Sequence, residues 1–403
     1  MRFIRSHSTV FRALALVLAG WSCHDSSGPA AGGVRERWYQ PQPGVGSARP
    51  AVSGNVVYFG TSDGQIIARD VGTGIQRWAT TVGADPVGVG GANLLVRNGV
   101  VVAPITNYTV GLDELTGLLL WRYEAPNDAA GRPPGAPNNP GQVIRSRIDA
   151  DNVNVFIPAW GASVSAVNLK TGSLQWVWTP GTMSGDTAVS GVFRSGSSSI
   201  RFSGGFVFAT MWHDLDRDGR TSEAWVVRLG QLTGIVFGQT LLPDQGSGAF
   251  IEGAPAVYGN VSIVNTGYAR TYAIEWNPFA QMIWQFRAPA PTLFTPTEVE
   301  IYGDVAYLDG GDNRVYALRA SDGTVIWSSP IPGGVLRDML VTERRVIIPT
   351  NKQLYILDRQ TGAQIAVVTQ PNTNDPHFLS PPAFADGLVF VAVSGAAWCF
   401  EEP

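Results

Sequence analysis

The sequence predicts an all-β fold, an eight-bladed β-propeller with four-stranded antiparallel blades. A short motif ending in Trp recurs along the 403-residue chain, and two apolar runs of strand length precede its copies. The chain is also rich in turn formers, with 47 Gly and 27 Pro. Repeats of roughly forty residues with four short strands each are typical of propellers, in which stacked neighbours bury what one sheet cannot.

The motif is complete in residues 68–78, ARDVGTGIQRW. Asp70 ends one apolar run, Thr73 and Gly74 supply the permissive backbone of a tight turn, and the next run contains Trp78. This pattern predicts a hairpin. Aligned on the Trp, the eight units place Trp38, Trp78, Trp121, Trp176, Gly238, Trp284, Trp327 and Ala366 at the same position.

The two chain ends are predicted to share one blade. The last pair of apolar runs, residues 387–393 and 396–400, ends the chain without a turn or a Trp of its own. Residues 34–40, which include Trp38, would supply the missing strand of that blade. Such closure joins the ends of a ring, and a solenoid would not need it.

The pattern A-x-D-x-x-T-G-x-x-x-W resembles the tryptophan-docking motif of the quinoprotein, or PQQ-like, repeat family. Ala68, Asp70, Thr73, Gly74 and Trp78 match every fixed position, and the resemblance runs from about residue 34 to residue 400, weakening in units four and five. In that family the Trp rings lock adjacent blades, which implies a structural role here. The large area that a buried indole covers favours the same interpretation. The residues concerned are Trp78, Trp121, Trp176, Trp284 and Trp327.

The N-terminus precedes the repeats and differs from them. We expect residues 1–22 to be a signal peptide, 23–33 a flexible tether and 34–403 the propeller. Three Arg residues precede the apolar run 13–21, which is too short to span a membrane as a helix. The polar, Gly-rich tether follows at once. The protein is therefore expected to be exported to the bacterial cell envelope.

Cys23 lies at the junction of leader and tether. The arrangement resembles a bacterial lipoprotein leader, which implies that Cys23 carries the lipid and that the protein is an outer-membrane lipoprotein. An ordinary cleaved leader is the alternative. The other of the two cysteines, Cys399, is expected to be a small buried apolar residue, so no disulfide framework is implied.

The quinoprotein resemblance also raises the question of catalysis. Quinoprotein dehydrogenases hold PQQ and Ca²⁺ on the propeller axis and carry an adjacent Cys-Cys pair, which this chain lacks. His213 and His377 are the only histidines within the propeller residues, leaving little material for a metal centre or a catalytic triad. We expect a noncatalytic protein without a cofactor. The alternative is a PQQ- and Ca²⁺-dependent oxidoreductase with a degenerate site. An axial cluster of acid, Asn and Arg around a flat cavity would favour this alternative.

One acidic stretch matches part of a calcium-binding loop. It places acids at positions 1, 3 and 5, a Gly at 6 and a backbone carbonyl at 7, but Trp225 stands at position 12 in place of a bidentate acid. A solvated hairpin loop is the other interpretation. The candidate calcium ligands are Asp214, Asp216, Asp218 and the backbone of Arg220.

Insertions lengthen units three and four at residues 124–147 and 179–199. With the acidic loop, these segments are predicted to emerge on one face of the propeller, and loops on a rigid scaffold commonly carry binding. The candidate binding residues there are Arg145, Arg147, Trp160, Arg194, Trp212 and His213. The expected function is a scaffold that binds protein partners at the envelope and meets the membrane only through its lipid, similar to outer-membrane assembly lipoproteins. A glycan- or calcium-binding surface module is a further alternative, and the net charge of -4 gives no reason to expect nucleic acid as a partner.

Overall fold

The computed structural model describes residues 33–87, 92–105, 108–124, 147–159, 163–179, 199–214, 222–245, 251, 253–290, 297–371, 374–375 and 377–403. For residues 159, 212–214, 222 and 244–245 it describes only the backbone. These residues form 32 strands and no helix, so none of the described segments could cross a membrane as a helix. The strands pair into eight four-stranded antiparallel sheets, and the predicted eight-bladed propeller is confirmed.

The strands follow one another blade by blade. In chain order they are β1 (Glu36–Pro41); β2 (Ala51–Ser53), β3 (Val56–Gly60), β4 (Gln65–Asp70), β5 (Gln76–Thr81); β6 (Leu95–Arg97), β7 (Val100–Pro104), β8 (Thr109–Asp113), β9 (Leu119–Tyr123); β10 (Asp149–Ala150), β11 (Asn154–Ala159), β12 (Ser163–Asn168), β13 (Leu174–Trp178); β14 (Ile200–Ser203), β15 (Phe206–Asp214), β16 (Ser222–Gly230), β17 (Val236–Gln245); β18 (Ala256–Tyr258), β19 (Val261–Asn265), β20 (Arg270–Glu275), β21 (Gln281–Arg287); β22 (Glu300–Tyr302), β23 (Val305–Asp309), β24 (Arg314–Arg319), β25 (Val325–Pro330); β26 (Leu340–Val341), β27 (Arg345–Pro349), β28 (Leu354–Asp358), β29 (Gln364–Val368); β30 (Ala383–Ala385), β31 (Leu388–Val393) and β32 (Ala396–Glu401). Blades 1 to 7 are the successive groups of four from β2 to β29, and blade 8 is β30 to β32 with β1.

Blade 8 closes the ring as the sequence predicts. Strand β1 pairs with β32, and the register places Trp38 opposite Cys399 and Pro41 opposite Ala396. The sheet therefore combines three strands from the C-terminus with one from the N-terminus. Cys399 is a free, buried cysteine, as expected, and burial raises the pKa of its thiol.

The first strand of each blade lies next to the axis and the fourth lies at the rim. The first strands of neighbouring blades contact each other, as β2 does with β6 and β18 with β22. The middle strands are covered on both faces by adjacent blades, so β3 and β7 are buried at every residue. This explains why they appear in the sequence as continuous apolar runs. Strand β5, by contrast, alternates between exposed and partly buried residues.

The antiparallel order gives the propeller two distinct faces. Turns between first and second strands and between third and fourth strands lie on one side, which we call the turn face. Loops between second and third strands, and the connections between blades, lie on the other side, the loop face. In blade 4, β15 and β16 have nine residues each and extend their hairpin on the loop face.

Candidate functional site

Six Trp side chains join neighbouring blades in the same way. Each indole Nε1 donates a hydrogen bond to the backbone carbonyl of the residue that follows the third strand of the next blade, which we call the acceptor position. The pairs are Trp38 to Val71 (2.8 Å), Trp78 to Glu114 (3.2 Å), Trp121 to Leu169 (2.7 Å), Trp176 to Gln231 (2.8 Å), Trp284 to Ala320 (3.0 Å) and Trp327 to Arg359 (3.0 Å). We call these the locked junctions.

The turn chemistry explains the fixed positions of the motif. Oδ1 of Asp70 accepts the backbone N–H and the hydroxyl of Thr73, both at 3.0 Å, and so shapes the turn. The hydrogen bond from Arg77 and those from Thr73 hold the pKa of Asp70 below its usual value. Gly74 has φ +69°, and a Cβ there would lie 2.7 Å from the ring of Trp38. Glycine is therefore required both by the backbone and by the docked indole.

At the junction between blades 4 and 5, the docking side chain comes from the later blade instead of the earlier one. Gly238 stands where blade 4 should present a Trp, and the turn after β20 has no Gly. Trp276 occupies the acceptor position of blade 5, and its ring atoms lie 3.1 Å from the point where a Cβ on Gly238 would be. Its Nε1 donates to the Ser262 hydroxyl at 2.8 Å, and the ring packs edge-on against Phe208 of blade 4. The indole thus crosses from blade 5 back to blade 4.

At the junction between blades 7 and 8, the docking side chain also comes from the later blade, and it is charged. Ala366 stands at the Trp position of blade 7, and Glu402 occupies the acceptor position of blade 8. The Glu402 carboxylate accepts Nε and Nη2 of Arg344 at 3.1 and 3.0 Å, and it also accepts the hydroxyl of Thr342. We call these two interfaces the reversed junctions.

In five blades a polar residue lies near the axis, at the position two residues before the first strand. Arg49, Asn93 and Arg147 hold this position in blades 1, 2 and 3, and Glu298 and Asp338 hold it in blades 6 and 7. Positive and negative residues therefore face each other from opposite parts of the ring.

The four charged residues among them form ion pairs, together with Glu300 of β22 and Arg201 of β14, and we call these six residues the axial network. Arg147 contacts Glu298 at 2.6 Å, and Arg49 contacts Glu300 at 3.1 Å. Two blades separate the partners on the shorter way round the ring, so both pairs span the central channel. Longer contacts complete the network: Arg49 to Asp338 (3.9 Å), Arg147 to Glu300 (3.8 Å) and Arg201 to Glu298 (3.9 Å).

Burial and pairing shift the acidities of this network in opposite directions. Burial acts to raise the pKa of Glu298, but the charges of Arg147, Arg49 and Arg201 outweigh it and lower the value. For Asp338, burial and then the negative charge of Glu298 raise the pKa to about 7, against the opposing charge of Arg49. Glu298 is thus held as a carboxylate, while Asp338 changes charge near neutral pH.

A cavity of about 150 Å³ adjoins the axial network between the first strands of blades 4, 5 and 6. Arg201, Ser203 and Glu300 are its polar lining residues. Among the described residues, no group of three His, Cys, Asp or Glu side chains is placed to hold a metal ion.

The rim of blades 2, 3 and 4 exposes large apolar side chains at the turn face. Leu115 is 84% exposed and Leu232 is 79% exposed, at corresponding positions of the turns of blades 2 and 4. The three positions before residues 121 and 238 are also apolar and exposed in both blades. We call these residues the rim patch: Leu115, Leu118, Leu119 and Leu120; Val153 and Leu174; and Leu232, Ile235, Val236 and Phe237.

The structure describes three of the six binding residues that the sequence grouped on the loop face. Arg147 lies at the axis, in its ion pair with Glu298. Trp212, His213 and Asp214 belong to β15, where their backbones pair with Ala224, Glu223 and Ser222. The remaining candidates lie outside the described residues: Arg145, Trp160, Arg194, Asp216, Asp218, Arg220 and Cys23.

Comparison with known proteins identifies the family. The model of the outer membrane protein assembly factor BamB family matches residues 27–212 and 213–401. The chain belongs to this family. It is 22% identical over 372 residues to "Outer membrane protein assembly factor BamB" of Yersinia pestis, covering 88% of this chain and 84% of the relative.

Solved structures in and beyond the family share the fold. BamB from Moraxella catarrhalis superposes with a TM-score of 0.63 at 12% identity, over 90% of this chain and 100% of that one. Quinohemoprotein alcohol dehydrogenase from Comamonas testosteroni gives 0.66 at 12% identity, over 92% of this chain and 76% of that one. The propeller fold is thus common to assembly factors and to redox enzymes, and the site must distinguish them.

Proposed function

We propose that this protein is a noncatalytic scaffold of the bacterial cell envelope that binds protein partners during outer-membrane protein assembly. The rim patch carries the proposal. Apolar side chains exposed in series on three neighbouring blades are unusual for a monomeric soluble protein and typical of a surface that meets another protein. The family membership supplies the process in which such a partner would act.

Anchoring through Cys23 is part of the same proposal. The leader-like residues 1–22 and the polar tether 23–33 support export and lipidation. A lipid at Cys23 would hold the propeller near the outer membrane through a short flexible segment. Mass spectrometry of the purified protein tests this, because a lipidated N-terminal Cys carries a mass that an ordinary cleaved leader does not leave.

The axis favours the scaffold over the quinoprotein alternative. It does contain acid, Asn and Arg side chains, as an enzyme would require. The Arg and acid groups nevertheless engage one another: Arg147 bonds Glu298 and Arg49 bonds Glu300 across the channel. A planar quinone with several carboxylates, together with Ca²⁺, would have to break these pairs and expose buried charges. The residues present therefore do not fit that group.

Calcium binding by the acidic loop stays a secondary proposal that rests on sequence. Asp214, Asp216 and Asp218 supply three carboxylates at the spacing of a calcium loop. If the ion binds there, Ca²⁺ will raise the melting temperature of the protein, and the rise will be absent in Asp216→Ala. An equal rise in both proteins would assign the effect to another site.

The scaffold function is tested by complementation. In a bacterial strain that lacks the protein, we expect the wild-type gene to restore the level of outer-membrane β-barrel proteins, and Leu118→Glu combined with Ile235→Glu to fail. Ile365→Glu is the control, because Ile365 is an exposed apolar residue of blade 7 that lies outside the rim patch. Folded rim variants that restore these levels as well as the control would contradict the proposal.

A further inference from the structure

The two reversed junctions divide the propeller into two runs of blades. Locked junctions join blade 8 to blade 1 and continue without interruption to blade 4. A second uninterrupted run joins blades 5, 6 and 7. We call these the five-blade arc and the three-blade arc. They meet only at the junctions where Trp276 and Glu402 reach backward.

The charges of the axial network divide in the same way. Its three arginines, Arg49, Arg147 and Arg201, all lie on the five-blade arc. Its three acids, Glu298, Glu300 and Asp338, all lie on the three-blade arc. Each of the five ion pairs of the axial network consequently joins one arc to the other.

Two other charged groups near the axis have the opposite sign to the rest of their arc, and they bond to backbone groups. Asp149 of the five-blade arc has its carboxylate bound by the backbone N–H groups of Ala150 and Phe202, which lie on the same arc. Arg337 of the three-blade arc donates from Nε to the carbonyl of Leu379, which precedes the first strand of blade 8. It therefore adds a bond between the arcs at one reversed junction.

We propose that the propeller consists of two preassembled arcs clasped by the axial network, and that it opens at the two reversed junctions when the clasp is weakened. Within an arc, every junction keeps a docked indole and its hydrogen bond. Between arcs, the charges at the axis are coupled, because removing one partner leaves the other largely buried and without its shortest ion pair. Loss of one axial group therefore weakens both reversed junctions together, although they lie at different places on the ring.

Hydrogen–deuterium exchange of the full-length protein tests this proposal. In Glu298→Gln, we expect exchange to rise on the order of tenfold in peptides that contain Trp276 and Arg344, at the two reversed junctions. Peptides around Leu169, at the locked junction of blades 2 and 3, should keep their protection. Trp121→Phe is the matched control, and its effect should be confined to the junction of blades 2 and 3.

A double variant that exchanges the charges of one axial pair distinguishes a specific effect of that pair from general destabilisation. Arg147→Glu combined with Glu298→Arg should restore protection at the reversed junctions relative to either single variant, because the pair is re-formed with opposite sense. Should the single variants fail to fold, the wild-type protein in increasing urea below its unfolding transition gives the order of opening. Equal loosening at all eight junctions, or earlier opening of a locked junction, would overturn the proposal.

Discussion

The axis and the rim invert the usual distribution of side chains in different ways. At the axis, charged residues are buried where a core would normally be apolar, and they are neutralised by one another across the channel. At the rim of blades 2 to 4, large apolar residues face solvent. Buried charges that satisfy each other act on the fold, whereas exposed apolar groups are available to a partner. We therefore infer that the axis serves closure and that the rim serves recognition.

Removing the central acid should have the largest effect. Glu298→Leu removes the 2.6 Å partner of Arg147 and the 3.9 Å partner of Arg201, and loss of one member of a buried pair costs about 3–5 kcal/mol. We expect this loss in the free energy of unfolding measured with urea. Glu343→Leu, at an exposed acid of the β26–β27 turn, should change it by no more than about 0.5 kcal/mol. Equal effects of the two substitutions would contradict the role of the axis.

A substitution at a locked junction should have an intermediate effect on the free energy of unfolding. Trp121→Phe keeps an aromatic ring but removes the 2.7 Å hydrogen bond and leaves the buried carbonyl of Leu169 without that donor. An unsatisfied buried group of this kind costs about 1–3 kcal/mol. Thermal unfolding should give this difference from the wild type. A Trp121→Phe protein as stable as the wild type would show that the indole acts by packing alone.

The acidity of Asp338 predicts a pH dependence. Its pKa is raised from 3.8 to about 7 by burial and by Glu298, so the folded chain retains a proton that the unfolded chain releases between these values. The contribution of this group to stability therefore falls as the pH rises from about 4 to about 7. Asp338→Asn should flatten the unfolding free energy in this window. A slope identical to that of the wild type would contradict the assignment.

The smallest stability effect is expected at the rim. Leu118→Glu replaces an exposed side chain, so the free energy of unfolding should change by at most about 0.5 kcal/mol. The same substitution should contribute to loss of function in complementation. A large loss of stability would mean that Leu118 belongs to the packing of blade 2, and the rim could no longer be contrasted with the axis.

The sequence predicted the fold because its signals are local. Asp70, Thr73 and Gly74 specify a turn through neighbouring backbone groups, and Trp78 follows at a fixed spacing. The closure of blade 8 could be counted from the strands. The sequence also shows that the repeats weaken in units four and five, but nothing in it relates Gly238 to the altered turn after β20. The structure reveals them as two sides of one reversed contact with Trp276.

The axial network could not be predicted from local pattern. Arg49 and Glu300 are 251 residues apart, and nothing near either residue indicates the other. The available signal was the alignment of the repeats on the start of the first strand, which places Arg49, Arg147, Glu298 and Asp338 at one position. An alignment of the repeats on the Trp alone does not bring these residues to one position, because insertions between blades change their distance from the motif.

A titration of the purified protein with PQQ, with and without Ca²⁺, tests most directly whether the axis serves closure or catalysis. Because Arg49, Arg147, Glu298 and Glu300 already pair across the channel, we predict no saturable change in absorbance and no thermal shift with PQQ. Stoichiometric binding that Glu298→Gln weakens would contradict the account, because it would show that the axial residues bind a cofactor.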